Sequence, residues 1–314
     1  MSQESSPSLN GSLDRRRFLI TGAAITGAAI TGAAAIAHEV AKSERDPFCR
    51  RPLGCRTKVE TSLIGAGTGM VGGNRESNMT RLGKEKFEAL LHHEWDRGVR
   101  FFDCADLYGT HPFIASAFKG RKREDYQIGS KIWVLKGGIP EEERPSAATV
   151  VDRFRRELDT DYIDLVQLHC MYEDKWPEIQ AQYMEDLETL KAKGIIRAHG
   201  VSIHSLGALR ACLDNDWVDA IHIRINAFGD NMDGPTDEVV EVLKQVHDQG
   251  VGVIGMKLLG EGKYRDLPEK KDASIRFVLD TGAVDVMIVG FEKTEEVDDF
   301  TDRVQRILHE RGEE

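Results

Sequence analysis

From residue 59 onward the chain alternates short apolar runs with longer amphipathic ones, and it does so eight times. Candidate strands fall at 61–66, 99–103, 127–132, 163–168, 196–201, 219–224, 251–256 and 285–289. Candidate helices follow near 84–97, 112–119, 146–158, 176–193, 205–213, 236–249, 270–281 and 294–310. Phe87, Leu90, Leu91 and Trp95 recur at helical spacing before Gly98, and Val239, Val242, Leu243 and Val246 do so before Gly250. The runs 163–168 and 251–256 are short and mostly apolar or β-branched, as parallel strands covered on both faces are. Eight strand–helix units in about 250 residues predict one α/β domain, a (β/α)8 or TIM barrel. A doubly wound open sheet would need a Gly-rich phosphate turn that opens a helix. Gly65-Ala66-Gly67-Thr68-Gly69 is Gly-rich, but Met70-Val71-Gly72-Gly73-Asn74 follows it and lacks a helix start.

The alternation leaves out the first 58 residues. Residues 1–37 read as an export signal: a polar start, Asp14-Arg15-Arg16-Arg17, a weakly apolar run from Phe18, and the small-x-small site Ala35-Ile36-Ala37. The arginine run before Phe18-Leu19 resembles a bacterial twin-arginine (Tat) signal, which implies the Tat export machinery as partner and a periplasmic or other extracytoplasmic location. An uncleaved membrane anchor is the alternative, since the run is long enough to span; Gly, Ala and Thr contribute little to insertion. After cleavage no stable membrane partner is expected. Residues 38–58 read as a charged linker to the barrel of 59–314, with Cys49 and Cys55 either bridged or present as two thiols. The net charge of -11, without a basic stripe, excludes nucleic acid as the main partner. The five cysteines lack CxxC spacing, so no metal site is expected.

In a barrel, the residues that end the strands converge on one mouth. Strand 2 ends in Asp103 with Tyr108 five residues on; strand 3 carries Lys131, strand 4 is followed by His169, strand 5 by Ser202 and His204, and strand 7 by Lys257. Singly, each has a plain structural reading: a solvated lysine, a satisfied histidine, a turn tyrosine. Together they describe a chemistry. A phenol titrates near 10, and a neighbouring ammonium lowers that value. Lys131 supplies the ammonium, Asp103 holds it, and a neutral His169 donates to a carbonyl oxygen. Such a set protonates a carbonyl as hydride arrives, or runs the reverse.

Asp103, Tyr108, Lys131 and His169 resemble the catalytic tetrad of the aldo-keto reductases. The surrounding words agree: Phe102-Asp103-Cys104-Ala105-Asp106-Leu107-Tyr108-Gly109, Ser130-Lys131, Asp161 through His169, and Gly194 through Ser202. The resemblance covers residues 59 to 309. It implies a nicotinamide-dependent carbonyl oxidoreductase acting on a small-molecule aldehyde or ketone. Tyr108 would be the general acid, Lys131 and Asp103 its tuning pair, and His169 the substrate-orienting donor. A non-catalytic nicotinamide-binding or regulatory barrel that keeps the tetrad is the alternative.

The implied cofactor contacts are Gly67, Thr68, Ser202, His222, Lys257, Leu258, Gly290, Lys293 and Glu296. Several stand where the family has other residues. Ile203 follows Ser202 in place of Asn, and His222 or Arg224 replaces Gln on strand 6. Met256-Lys257-Leu258 stands in place of Ser-Pro-Leu, and Glu296 lies near the usual phosphate-gripping arginine. NADP is the expected cofactor from the family habit, with NAD possible because Glu296 would repel a 2′-phosphate and Lys293 would offset it. With no free nicotinamide pool expected outside the cytoplasm, a retained cofactor would travel with the folded enzyme.

Overall fold

The computed structural model describes residues 45–312. The twin-arginine-type signal of residues 1–37, and the linker as far as residue 44, lie outside the described residues. Among the described residues, ten strands form two sheets. β1 (Arg51–Pro52) and β2 (Glu60–Thr61) make an antiparallel hairpin. The other eight close a parallel barrel: β3 (Ile64–Gly67), β4 (Phe101–Asp103), β5 (Gln127–Trp133), β6 (Ile163–Met171), β7 (Ile196–Ile203), β8 (Ala220–Arg224), β9 (Gly252–Met256) and β10 (Val286–Val289). β10 pairs with β3 and completes the ring.

The eight predicted helices are present, the fourth split into Trp176–Ile179 and Ala181–Ala192. The Gly-rich segment after β3 leads to one more turn of helix, Asn78–Arg81, opened by a reciprocal Ser77–Thr80 cap. Among the described residues, no helix is long and apolar enough to cross a membrane.

Alternation along the strands divides the apolar residues in two. One face, with Phe102, Ile128, Val166, Val201, Ile221, Val253 and Met287, packs under the helices. The other fills the barrel with Phe101, Leu165, Ala198, Ala220, Ile254, Val286 and Ile288. That inner set is completed by Leu53 and Val59 from the hairpin, exposed by 0% and 1%.

The reading of residues 38–58 as a linker is therefore corrected for its described part: residues 51–61 fold back and plug the barrel. Two-residue strands carry no period a sequence can display, and burying Leu53 is worth about 1.5–3 kcal/mol, which holds the hairpin in place. The predicted first strand, 61–66, is divided between β2 and β3. β6 runs past its predicted end through a register shift between Leu168 and Met171, with Cys170 at φ 64°.

Candidate active site

One step up from the apolar filling, the inward positions turn polar. Phe101 is followed two residues on by Asp103, Leu165 by Gln167, and Ala220 by His222. Lys131 lies opposite Gln167 in the β5–β6 register, and Ser202 opposite His222 between β7 and β8. All six are buried. Tyr108 ends a single 3-10 turn, Asp106–Tyr108, just past β4.

The four residues of the proposed tetrad are brought together. The Lys131 ammonium donates to Asp103 Oδ1 and, at 3.0 Å, to the Cys104 carbonyl. The Tyr108 hydroxyl stands 3.3 Å from His169 Nε2, with the two rings edge to face. Lys131 Nζ lies 5.4 Å from the Tyr108 ring centre. Trp133 also meets His169 edge to face, ring centres 5.4 Å apart.

Burial alone would raise the Asp103 carboxyl; the Lys131 ammonium, with the His222 ring beside it, outweighs this and holds the group below the usual carboxylate range. Burial and the Lys131 ammonium keep His169 neutral well below an ordinary imidazole's pKa, as an uncharged hydrogen-bond donor requires. Tyr108 goes the other way from the expected tuning. Burial, reinforced by the Asp103 carboxylate, raises its pKa well above 10, and the Lys131 ammonium donates to Asp103 and Cys104 instead of to the phenol.

The predicted cofactor residues divide. Ser202 Oγ accepts from Cys170 N at 2.9 Å, at the end of β7. His222 Nε2 lies 3.1 Å from Asp103 Oδ1, yet off the line of a hydrogen bond, so neither ring nitrogen of this buried side chain is satisfied. Arg224, the alternative on the same strand, is taken up by Asp233 at 2.7 Å and by the His204 carbonyl at 3.1 Å.

Gly67 and Gly290 face each other across β3 and β10, where a Cβ on Gly290 would meet Met70 Cγ at 2.6 Å and Gly67 O at 2.9 Å. Thr68 is buried, donating to the Asp103 carbonyl at 2.7 Å and sharing a 2.8 Å bond with Thr110. Lys257 pairs with Glu261 at 2.5 Å, and Leu258 is buried with its carbonyl bonded to Ser274.

Lys293 is exposed at the start of the last helix, Thr294–Arg311. It lines a cavity of about 600 Å³ with Asn78, Arg81, Leu82, Lys86 and Glu292. Glu296 is not part of that lining. Its two oxygens accept from Glu292 N at 2.9 Å and pair with Arg265 Nε at 3.0 Å, so it braces the loop. Sequence reasoning missed Arg81 and Lys86. Arg81 ends the short helix after β3 and Lys86 lies in the next one, Lys84–Asp96; the 2.7 Å bond from Asn78 to Glu292, 214 residues away, ties this region to the segment before the last helix.

A family model described as Aldo/keto reductase family matches residues 63–274, the greater part of the chain. Among curated proteins, the chain is 23% identical over 254 residues to D-threo-aldose 1-dehydrogenase of a Pseudomonas species, covering 72% of this chain and 74% of that one. Against other curated relatives the chain spans about half their length, 50%, 46% and 50%. Among solved structures, a Pseudomonas aeruginosa protein described as an aldo-keto reductase superposes with TM-score 0.66 at 24% identity, covering 84% of this chain and 98% of that one. An aldo-keto reductase of Klebsiella pneumoniae in complex with NADPH superposes with TM-score 0.58 at 18% identity, covering 80% and 89%. At these identities the structures speak for the shared barrel alone.

Proposed function

We propose that this chain, which belongs to the aldo/keto reductase family, is a nicotinamide-dependent oxidoreductase that interconverts a small-molecule carbonyl and its alcohol at the barrel mouth. The observation that carries the reading is the approach of the Tyr108 hydroxyl to within 3.3 Å of His169 Nε2, with the buried Lys131–Asp103 pair beside it. A carbonyl oxygen seated between phenol and imidazole is held by two donors. Tyr108 then gives its proton to the oxygen as negative charge develops there. With its pKa raised, the phenol is fully protonated at neutral pH and ready to act as the acid in reduction. Lys131 is near enough to steady the phenolate left behind, and Asp103 keeps the lysine charged. In the oxidative direction the same groups take the proton back.

The chain fits a nicotinamide dinucleotide at two places. At the inner end, His222 and the Nδ1 of His169 are buried without hydrogen-bond partners, as polar groups completed by a ligand are. At the outer end, Arg81, Lys86 and Lys293 converge on one cavity, which suits a phosphate and favours NADP over NAD. Ser202 and His222 would hold the nicotinamide end, with Gly67, Thr68, Lys257, Leu258 and Gly290 between the two. Held there, a reduced nicotinamide would supply the hydride for the carbonyl carbon. NADPH in complex with the Klebsiella relative supports this choice.

The test is to mix the purified protein with NADPH or NADH and a panel of aldehydes, ketones, quinones and sugars and follow the reduced-nicotinamide absorbance. Loss of absorbance with some carbonyl, faster with NADPH, is expected. Cofactor binding without oxidation by any member of the panel would refute the reading and leave a binding or regulatory barrel. Lys131 being turned from the phenol is the observation that favours that second reading.

The leader sequence carries a further part of the proposal: Tat-dependent export with the cofactor retained. Replacing Arg16 and Arg17 by lysine should strand the protein in the cytoplasm of a bacterial host. Mature protein purified free of nicotinamide, with only micromolar or weaker affinity for it, would sink the retention.

A further inference from the structure

The mechanism uses Asp103 and Tyr108 but gives no task to Asp106, which lies between them with its side chain 1% exposed. That carboxylate is among the most heavily engaged in the chain. Arg153, from the helix Ala147–Glu157, donates to both its oxygens, at 2.9 and 2.6 Å. Arg75, from the loop after β3, donates to Oδ1 at 3.2 Å.

The contacts continue on both sides. Arg75 reaches Glu143 at 2.5 Å. Arg153 reaches Glu157 at 3.1 Å, Glu157 meets His111 Nδ1 at 2.7 Å, and His111 Nε2 meets Ser130 Oγ at 2.8 Å. Ser130 is the neighbour of Lys131 on β5. One line of charged and polar contacts thus links three parts: the loop after β3, the turn that carries Tyr108, and the strand that carries Lys131.

The loop end of that line lies against the catalytic ring. A Cβ at Gly69 would land on the Tyr108 ring, and one at Gly72 would come within 2.7 Å of its Cδ1. Only glycine lets the backbone lie so close. Val71, Asn74 and Arg75 of the same loop adopt φ of 48°, 51° and 61° without being glycine, so the loop keeps a disfavoured shape. The backbone joins there as well, Arg75 N donating to Leu107 O at 2.9 Å.

We propose that Asp106 is a positioning residue for Tyr108. By drawing Arg153 from one side and Arg75 from the other, it fixes the turn and presses the Gly69–Gly72 backbone against the ring, setting the phenol's place relative to His169 and Lys131. The inference rests on the proposed carbonyl chemistry for its catalytic consequence but not for its structural one. A misplacement of about 1 Å in a reacting group costs on the order of 100-fold in rate.

Tyr108 can be watched directly. Protein labelled with 3-fluorotyrosine carries six fluorinated rings, and Tyr108→Phe assigns one line by its absence. Asp106→Asn keeps the shape of the side chain and removes its charge. The expected result is a shifted or broadened Tyr108 line and a kcat/KM lower by about 10- to 100-fold, with NADPH affinity within about twofold. Arg75→Gln, which leaves Arg153 on Asp106, should move the same line less. It replaces Asp106→Asn if that variant does not accumulate as folded protein.

A Tyr108 line unmoved in the folded variant overturns the inference, whatever happens to turnover. A moved line together with full activity in Tyr108→Phe overturns the carbonyl reading and leaves the positioning role standing.

Discussion

Phe101 and Asp103 stand two residues apart on one strand, both face the inside of the barrel, and they belong to different worlds. Around Phe101 the interior is closed and apolar, plugged from below by Leu53 and Val59. Around Asp103 it holds Lys131, Gln167, Ser202 and His222, with Gln167 Oε1 and both His222 nitrogens unsatisfied. Packed apolar layers stabilise a fold, whereas buried polar groups left open cost it stability. Along the barrel axis, then, one end holds the molecule together and the other spends part of that stability on a site that awaits its ligands.

The sharpest way to test that division is at Tyr108. Tyr108→Phe should lower kcat/KM by about 100- to 10,000-fold, with unfolding temperature and cofactor affinity unchanged; undiminished turnover would remove the phenol as acid. The lower layer should respond in the opposite manner. Leu53→Ala should cost about 2–5 kcal/mol in denaturant unfolding, with kcat/KM at 25 °C unchanged. A loss of activity without a loss of stability there would erase the distinction.

Acid should discriminate next. Burial holds both His169 and His222 neutral below an ordinary imidazole's pKa. The unfolded chain therefore takes up protons first, and stability present above pH 6.5 is lost as the pH falls below it. Replacing His222 by Gln should make the decline below pH 6.5 shallower; an unchanged slope would mean that the imidazole titrates normally.

The smallest effect is expected at the rim. Lys293→Ala should weaken NADPH binding about tenfold and NADH binding hardly at all, measured by quenching of protein fluorescence; equal weakening of both would move the phosphate elsewhere.

The upper end was also the more legible in sequence. Chemistry-bearing residues follow strand ends, and strand ends follow from hydrophobic period, so Asp103, Tyr108, Lys131 and His169 could be named before any coordinates. The plug could not, because Leu53 lies beside a strand of only two residues. Neither could the task of Asp106, whose partner Arg153 is 47 residues away. Arg81 and Lys86 escaped notice for the same reason, since the cavity they share with Lys293 joins the two ends of the barrel sequence. The direction of the Tyr108 shift follows from the depth of its burial and the nearness of Asp103, and a list of residues carries no such information. Nor could sequence show that Glu296 is engaged by Arg265 and by a backbone amide.

The alternation along β4 has a consequence for anyone who sorts variants. Phe101, Phe102 and Asp103 are consecutive and equally hidden from solvent. A library sorted by cellular abundance should deplete polar substitutions at the first two and tolerate at the third Asp103→Asn, which keeps the shape and an acceptor for Lys131. One sorted by turnover should reject the third almost entirely. Laid side by side, the two screens would trace the barrel's axis from single-residue phenotypes.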